Sequence, residues 1–276
     1  MKQKTLLQRA LAAPYIVWAI IFIIAPLLFV AYYAFTDRDG SFTFDNIIYA
    51  CNTSYLVIFF RSISLALIAT FICLVIAYPL AYAISRSNAN SQKIMIMLVM
   101  LPMWMNFLIR TYSWMAILED TGFINQLLVK IGLSPVHMIN TSGAVILGMV
   151  YNFLPYMILP IYSVMTKIDV RLLEAAHDLG CNNRKVLTKV VFPLSASGVI
   201  SGVTMVFVPS ISTFYISQKL GGGNFDLIGD TIERQFQTAY NYNLGAALSL
   251  ILMVLILICM AVMNRFSDED GGAMVV

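Results

Sequence analysis

The sequence predicts an all-α membrane protein of six transmembrane helices, with the N-terminus and the C-terminus both cytoplasmic. Three observations predict it. Of 276 residues, 60% are hydrophobic and 11% charged, whereas an ordinary soluble domain carries about 25% charged residues. The apolar residues gather into six runs, about 14–35, 56–84, 94–117, 143–166, 194–217 and 243–264, each near or above the ~20 residues that a helix needs to cross a bilayer. Lysine and arginine are unevenly spread between the connecting segments. With the N-terminus inside, the inner segments carry eleven (Lys2, Lys4, Arg9, Arg86, Lys93, Lys167, Arg171, Arg184, Lys185, Lys189 and Arg265) and the outer segments four (Arg38, Lys130, Lys219 and Arg234). That asymmetry sets orientation in membranes. No stretch between the runs is long enough for a soluble domain, so residues 1–276 read as one transmembrane domain.

The first run, Pro14 to Phe35, follows three basic residues. It exceeds the 7–15-residue apolar core of a signal peptide and lacks a convincing cleavage site, so it reads as a span. A polar loop, Thr36 to Tyr55, holds Asp37, Arg38, Asp39 and Asp45. The second run is long enough to tilt or to extend past the bilayer. A short polar turn, Ser85 to Lys93, leads to the third run, with Pro102 near its start. The outer loop Leu118 to Ser142 contains FINQLLVKIG, with the pattern of a short surface helix. The fourth run is expected to be broken by Pro155 and Pro160. The fifth contains Pro209 and Gly198-x-x-x-Gly202, a spacing that lets two helices approach closely. Gly221-Gly222-Gly223 opens the loop that leads to Tyr242 and the sixth run. Cys51, Cys73, Cys181 and Cys259 show neither metal-site spacing nor a disulfide framework.

Between the fourth and fifth runs lies a polar island, Lys167 to Pro193, reading KIDVRLLEAAHDLGCNNRKVLTKVVFP. Asp169 is placed to cap a helix that carries Leu172, Leu173, Ala176 and Leu179 on one face. Gly180 ends that helix, and Asn182 caps a second short one running to Pro193. A connector between spans needs only a few residues, so a structured one of this length reads as a docking surface. Glu174-Ala175-Ala176, the glycine four residues after the last alanine, and Phe192-Pro193 resemble the EAA loop of permease subunits of ABC importers. The triplet alone occurs in many helices; the later glycine and proline between two apolar spans make it specific. The resemblance implies that the first short helix inserts into a groove of a cytoplasmic ATPase, with Glu174, Ala175, Ala176, Asp178 and Gly180 as coupling residues.

The chain has no GxxxxGK[ST], HExxH or GxSxG motif and only two histidines, so it reads as a non-catalytic subunit without a cofactor of its own. ATP and Mg would be bound by the partner ATPase. His177 falls in the docking island, and His137, in an outer loop, has no visible partner. Arg61 and Arg110 fall near the outer ends of their runs, where a long side chain snorkels; pairing with Glu119 or Asp120 is the alternative for Arg110.

One group of residues differs from plain lipid-facing helix: Trp104, Asn106 and Tyr112 in the third run, Tyr151 and Tyr156 in the fourth, Phe214 and Tyr215 in the fifth. Aromatic faces with neutral acceptors suit an organic cation; an interfacial aromatic belt with helix packing is the plainer reading. Glu119 and Asp120 lie at the outer mouth. No Asp or Glu falls inside a run, and the outer segments hold eight acids against four bases, a field that attracts cations within the limits of salt screening.

PMWMNFLIRTY, GFINQLLVKIG, GAVILGMVYNFLPYMILPIYS, LLEAAHDLG and STFYISQKLGGG are similar to the B-type permease subunits of bacterial spermidine/putrescine ABC importers. That resemblance implies a type I importer (MetI-like) fold in the bacterial cytoplasmic membrane. It also implies a sister C-type permease, two copies of a cytoplasmic ATPase and an external polyamine-binding protein, with no nucleic-acid partner. The same architecture carrying another small solute (a metal chelate, vitamin or anion) and an ATP-independent channel are the competing readings.

Overall fold

The computed structural model of the chain describes residues 14–37, 39–223 and 226–272. Lys2, Lys4, Arg9 and Arg38 of the charge asymmetry lie outside them. The described residues are helical, with one isolated bridge between Thr36 and Phe42. The chain divides into two compact units, residues 1–57 with 231–255, and residues 58–230 with 256–276.

In the first unit, α1 (Pro14–Ala34) is a spanning helix with a π turn at Ile20–Ile24. Its end is tied down by amides. Asn46, on α2 (Asp45–Ala50), donates to the carbonyls of Ala34 and Thr36. Asn243 donates to the carbonyls of Tyr33 and Thr36. Phe35, Phe42 and Phe44 stack into an aromatic knot with centroids 5.1–6.1 Å apart.

In the second unit, the chain continues along α3 (Thr53–Ser85), α4 (Ala89–Trp104), α5 (Phe107–Leu118), α6 (Phe123–Lys130) and α7 (Ser142–Met165). It then follows α8 (Val170–Asp178), α9 (Asn183–Ser212) and α10 (Tyr215–Leu220). Residues 231–255, which hold most of α11 (Ile228–Gln237) and the first part of α12 (Tyr242–Gly272), belong to the first unit. Helix α7 is the centre, with Val145, Met149, Met157, Ile161 and Met165 fully buried. Lipid is as apolar as leucine, so helices in a bilayer associate through small residues rather than hydrophobicity. Accordingly Ala66, Ala69, Cys73, Ala77 and Ala81 of α3 are fully buried at helical spacing. On α9, a Cβ at Gly198 would meet the Pro160 carbonyl at 3.0 Å, and one at Gly202 would meet Met157 Sδ at 2.8 Å. The spacing read as a packing motif seats α9 on α7.

Several elements depart from the expected ones. The third run is two helices: α4 stops at Trp104, Met105 is extended, and the path through 89–104 and 107–130 bends by 89°. Pro102 removes an amide from the last turn of α4, and Asn106 Oδ1 accepts from Leu108 N at 2.8 Å to start α5. Pro155 and Pro160, expected to break the fourth run, lie inside a continuous α7. The fifth run stops early, at Ser212, and resumes as α10 after an extended Thr213. The second island helix does not end at Pro193. It is the start of α9 and runs on through a π turn at Leu187–Val191; that wider turn ends two residues before the proline that cannot donate to the ladder. Helices α2 and α11, in segments read only as loops, were not expected.

Candidate functional site

Two places concentrate the candidate residues. The first is the elbow formed by α8 and the start of α9. Asp169 caps α8 by accepting from Arg171 N at 3.0 Å, satisfying an amide that the first turn leaves without a partner. At the other end the chain reverses through a Schellman turn: Cys181 N donates to the Ala176 carbonyl (3.1 Å), and Gly180 N to that of His177 (2.8 Å). Gly180 has φ +79°, the left-handed conformation such a turn requires. His177 Nδ1 lies 3.0 Å from the Cys181 carbonyl, and Asn182 Oδ1 accepts from Lys185 N to cap the next helix.

Burial divides the island's residues by role. Leu173 and Ala176 are buried with Val186 and Val191 in the core. Leu172 and Leu179, expected from the sequence to share that face, point away from it: Leu179 is 85% exposed and Leu172 50%. Glu174, Ala175, Asp178 and Gly180 are exposed with them. The outward surface is therefore Leu172, Ala175 and Leu179 at i, i+3 and i+7, flanked by two carboxylates. Ala176 instead packs the helix onto its own chain.

The second place is the aromatic set around the break between α4 and α5. Tyr112 and Tyr215 meet edge to face with centroids 6.1 Å apart, and Phe107 lies 6.1 Å from Tyr215. Lys219 Nζ sits 5.5 Å from the Tyr112 centroid and 5.7 Å from that of Tyr215. Beside the pair opens a cleft of about 320 Å³ lined by Phe107, Leu108, Pro209, Ser212, Phe214 and Tyr215, among others. Trp104 is 72% exposed at the end of α4, and Asn106 is engaged as the cap of α5. Tyr151 lies elsewhere, edge-on to Trp114 at 5.4 Å, and Tyr156 sits by Phe153 at 6.4 Å. The seven candidate path residues thus fall into separate groups: Phe214 and Tyr215 line the cleft, and Tyr112 joins them through its contact with Tyr215. Lys219 was read only as an outer charge; its spacing of four from Tyr215 on a helix was the available signal.

Arg110 neither snorkels nor forms the expected carboxylate pair. It is 8% exposed, its guanidinium stands 5.8 Å from the Phe107 ring, and its Nε and Nη1 have no hydrogen-bond partner. Asp120 pairs with His137 at 2.8 Å, so that histidine does have a partner. Glu119 is exposed at the C-terminus of α5, and its carbonyl accepts from buried Asn125, which also bonds Val136 on both backbone groups. No group of three or more His, Cys, Asp or Glu with metal-site geometry occurs among the described residues.

Comparison with known proteins gives this architecture a family. The family model of the binding-protein-dependent transport system inner membrane component matches residues 4–269. The spermidine/putrescine transport system permease protein PotB of Haemophilus influenzae is 38% identical over 256 residues, covering 90% of each chain. PotB of Escherichia coli K12 is 34% identical over 258 residues, 91% of this chain and 94% of its own. A chain in the crystal structure of a bacterial alginate ABC transporter with its periplasmic protein superposes with a TM-score of 0.82 at 16% identity, over 97% of this chain and 96% of that one. A chain of the MetNI methionine ABC transporter superposes with a TM-score of 0.60, also at 16% identity, over 78% and 95%. The chain belongs to the binding-protein-dependent transport system inner membrane component family, the multi-pass permease subunits of ABC importers in the cytoplasmic membrane.

Proposed function

We propose that the chain forms, with a sister C-type permease, the path by which polyamines such as spermidine and putrescine enter the cell. Two copies of a cytoplasmic ATPase drive it, and an external polyamine-binding protein delivers the cargo. The observation that carries this reading is the likeness to proteins named for spermidine/putrescine transport, 38% and 34% identical across nine-tenths of the chain. The aromatic cleft agrees with it chemically: the ammonium of Lys219 already rests against Tyr112 and Tyr215, the contact that a primary amine of a polyamine would make. With no Asp or Glu in the predicted spans, membrane-level carboxylates for a polycation would come from the sister subunit. Glu119 and Asp120 would face the outer mouth, with both termini and the elbow on the cytoplasmic side.

In this reading α8 docks on the ATPase through Leu172, Glu174, Ala175, Asp178 and Leu179, while Gly180 holds the elbow. The testing experiment is radiolabelled spermidine uptake in cells lacking their own importer. The chain is coexpressed with the neighbouring ATPase, sister permease and binding protein, with and without Glu174→Ala. Uptake that requires the chain and falls with the substitution is expected. No uptake from an assembled complex would keep the importer and overturn the cargo.

A further inference from the structure

The short turn between α3 and α4 is bonded to the root of the elbow. Arg86, just after α3, donates through Nη2 to the carbonyl of Met165 (3.1 Å) and through Nη1 to that of Ile168 (3.3 Å). Met165 is the last residue of α7, and Ile168 directly precedes Asp169, the cap of α8. The guanidinium therefore reaches the last carbonyl of α7, which otherwise accepts from Ile168 N at 3.3 Å, and the carbonyl just before the α8 cap, a helix end where the dipole favours a cation. It also lies 5.7 Å from the Tyr82 ring.

A second contact lies about one turn back along α7. Gln92 Nε2 donates to the carbonyls of Ser85 (3.1 Å) and Ser87 (2.8 Å), and its Oε1 accepts from Tyr162 OH at 3.2 Å. Residues 162, 165 and 168 follow one another at intervals of three along one side of the chain, so Arg86 and Gln92 grip the same face at successive levels. The backbone joins α8 only to α7 and α9. The grip adds a direct link to α3 and α4, and α4 runs from it to Trp104 and the break beside the aromatic cleft.

We infer that Arg86 and Gln92 are positioning residues that carry movement of the coupling helix into α3 and α4. The inference rests on the reading of α8 as the ATPase-docking helix. Without the clasp, α8 moves while α4 stays behind, and ATP is hydrolysed without transport.

The test uses the full complex in proteoliposomes with its ATPase, sister permease and binding protein. Three quantities are read: spermidine taken up per ATP hydrolysed, stimulation of hydrolysis by the binding protein as purified, and copurification of the ATPase. Arg86→Met is expected to assemble and hydrolyse ATP, with uptake per ATP and stimulation both reduced about tenfold, within the range of allosteric couplings. Arg86→Lys keeps the charge but not the fork and should fall between; Gln92→Leu should lose less. If Arg86→Met fails to assemble, the other two variants decide by the same ratios. Unchanged ratios in the assembled clasp variants, alongside a fall in Glu174→Ala, would overturn the clasp alone. An unchanged Glu174→Ala would instead overturn the docking reading on which it rests.

Discussion

The elbow and the aromatic cleft are built in opposite ways. At the elbow, both helix starts are capped by side chains, the turn between them closes its own carbonyls, and two core residues hold α8 to its own chain. Around the cleft, Trp104, Tyr112 and Phe214 are exposed, and Arg110 keeps buried N–H groups without partners. One region caps its helix starts and closes its turn with its own residues. The other leaves aromatic surface open. A part braced in this way suits the transmission of force, and an open part suits a path shared with a second subunit.

The largest expected effect is at Gly180. Proline there cannot adopt φ +79° and removes the amide donated to His177, a combination worth about 3 kcal/mol or more. Gly180→Pro should abolish uptake in the assay above, with the membrane level of the chain unchanged. Gly180→Ala isolates the conformational part, because a Cβ at that position meets nothing within 4 Å. It should cost about 1 kcal/mol and leave partial uptake. Equal losses from alanine and proline would show that the elbow depends on something other than backbone conformation.

Next comes the α7–α9 contact that carries both regions. A side chain at Gly202 must displace Met157, whose Sδ would lie 2.8 Å from the new Cβ. Overpacking of this kind costs about 1–3 kcal/mol, so Gly202→Leu should lower the melting temperature of the purified complex. Of smaller expected effect, Trp104→Ala and Tyr156→Ala should each slow polyamine uptake while the ATPase still copurifies. Unchanged uptake in both would move the path away from these rings and leave Tyr112, Phe214 and Tyr215 as the wall.

The same contrast explains what the sequence disclosed. Asp169, Gly180 and Asn182 act on backbone groups within three residues, so their roles could be read in order along the chain, and the structure places all three as caps and turn. The Gly198/Gly202 pair was legible for the same reason, because spacing alone defines a helix face. The break at Asn106 was written in Pro102 and a good capping residue, but a long apolar run masked it. The Arg86 clasp links positions 79 and 82 apart in sequence, and no local pattern encodes such a contact. Tyr112 and Tyr215 likewise meet only because α5 and α10 both follow helix breaks.

The smallest expected effect tests the open region most directly. Lys219 now holds the position against Tyr112 and Tyr215 that a substrate amine is proposed to take. If the two rings are a seat for alkylammonium, Lys219→Met empties it and removes a like charge from the approach of a polycation. A cation–π contact at an exposed site is worth about 0.5–1 kcal/mol, so uptake should rise by about two- to fivefold where loading of the path limits the rate. If Lys219 is instead a strut that holds the rings in place, the substitution should lower uptake, as Tyr215→Leu would. A cation removed and a ring removed then act with opposite signs in the first case and the same sign in the second, which separates a cargo seat from ordinary packing in one pair of variants.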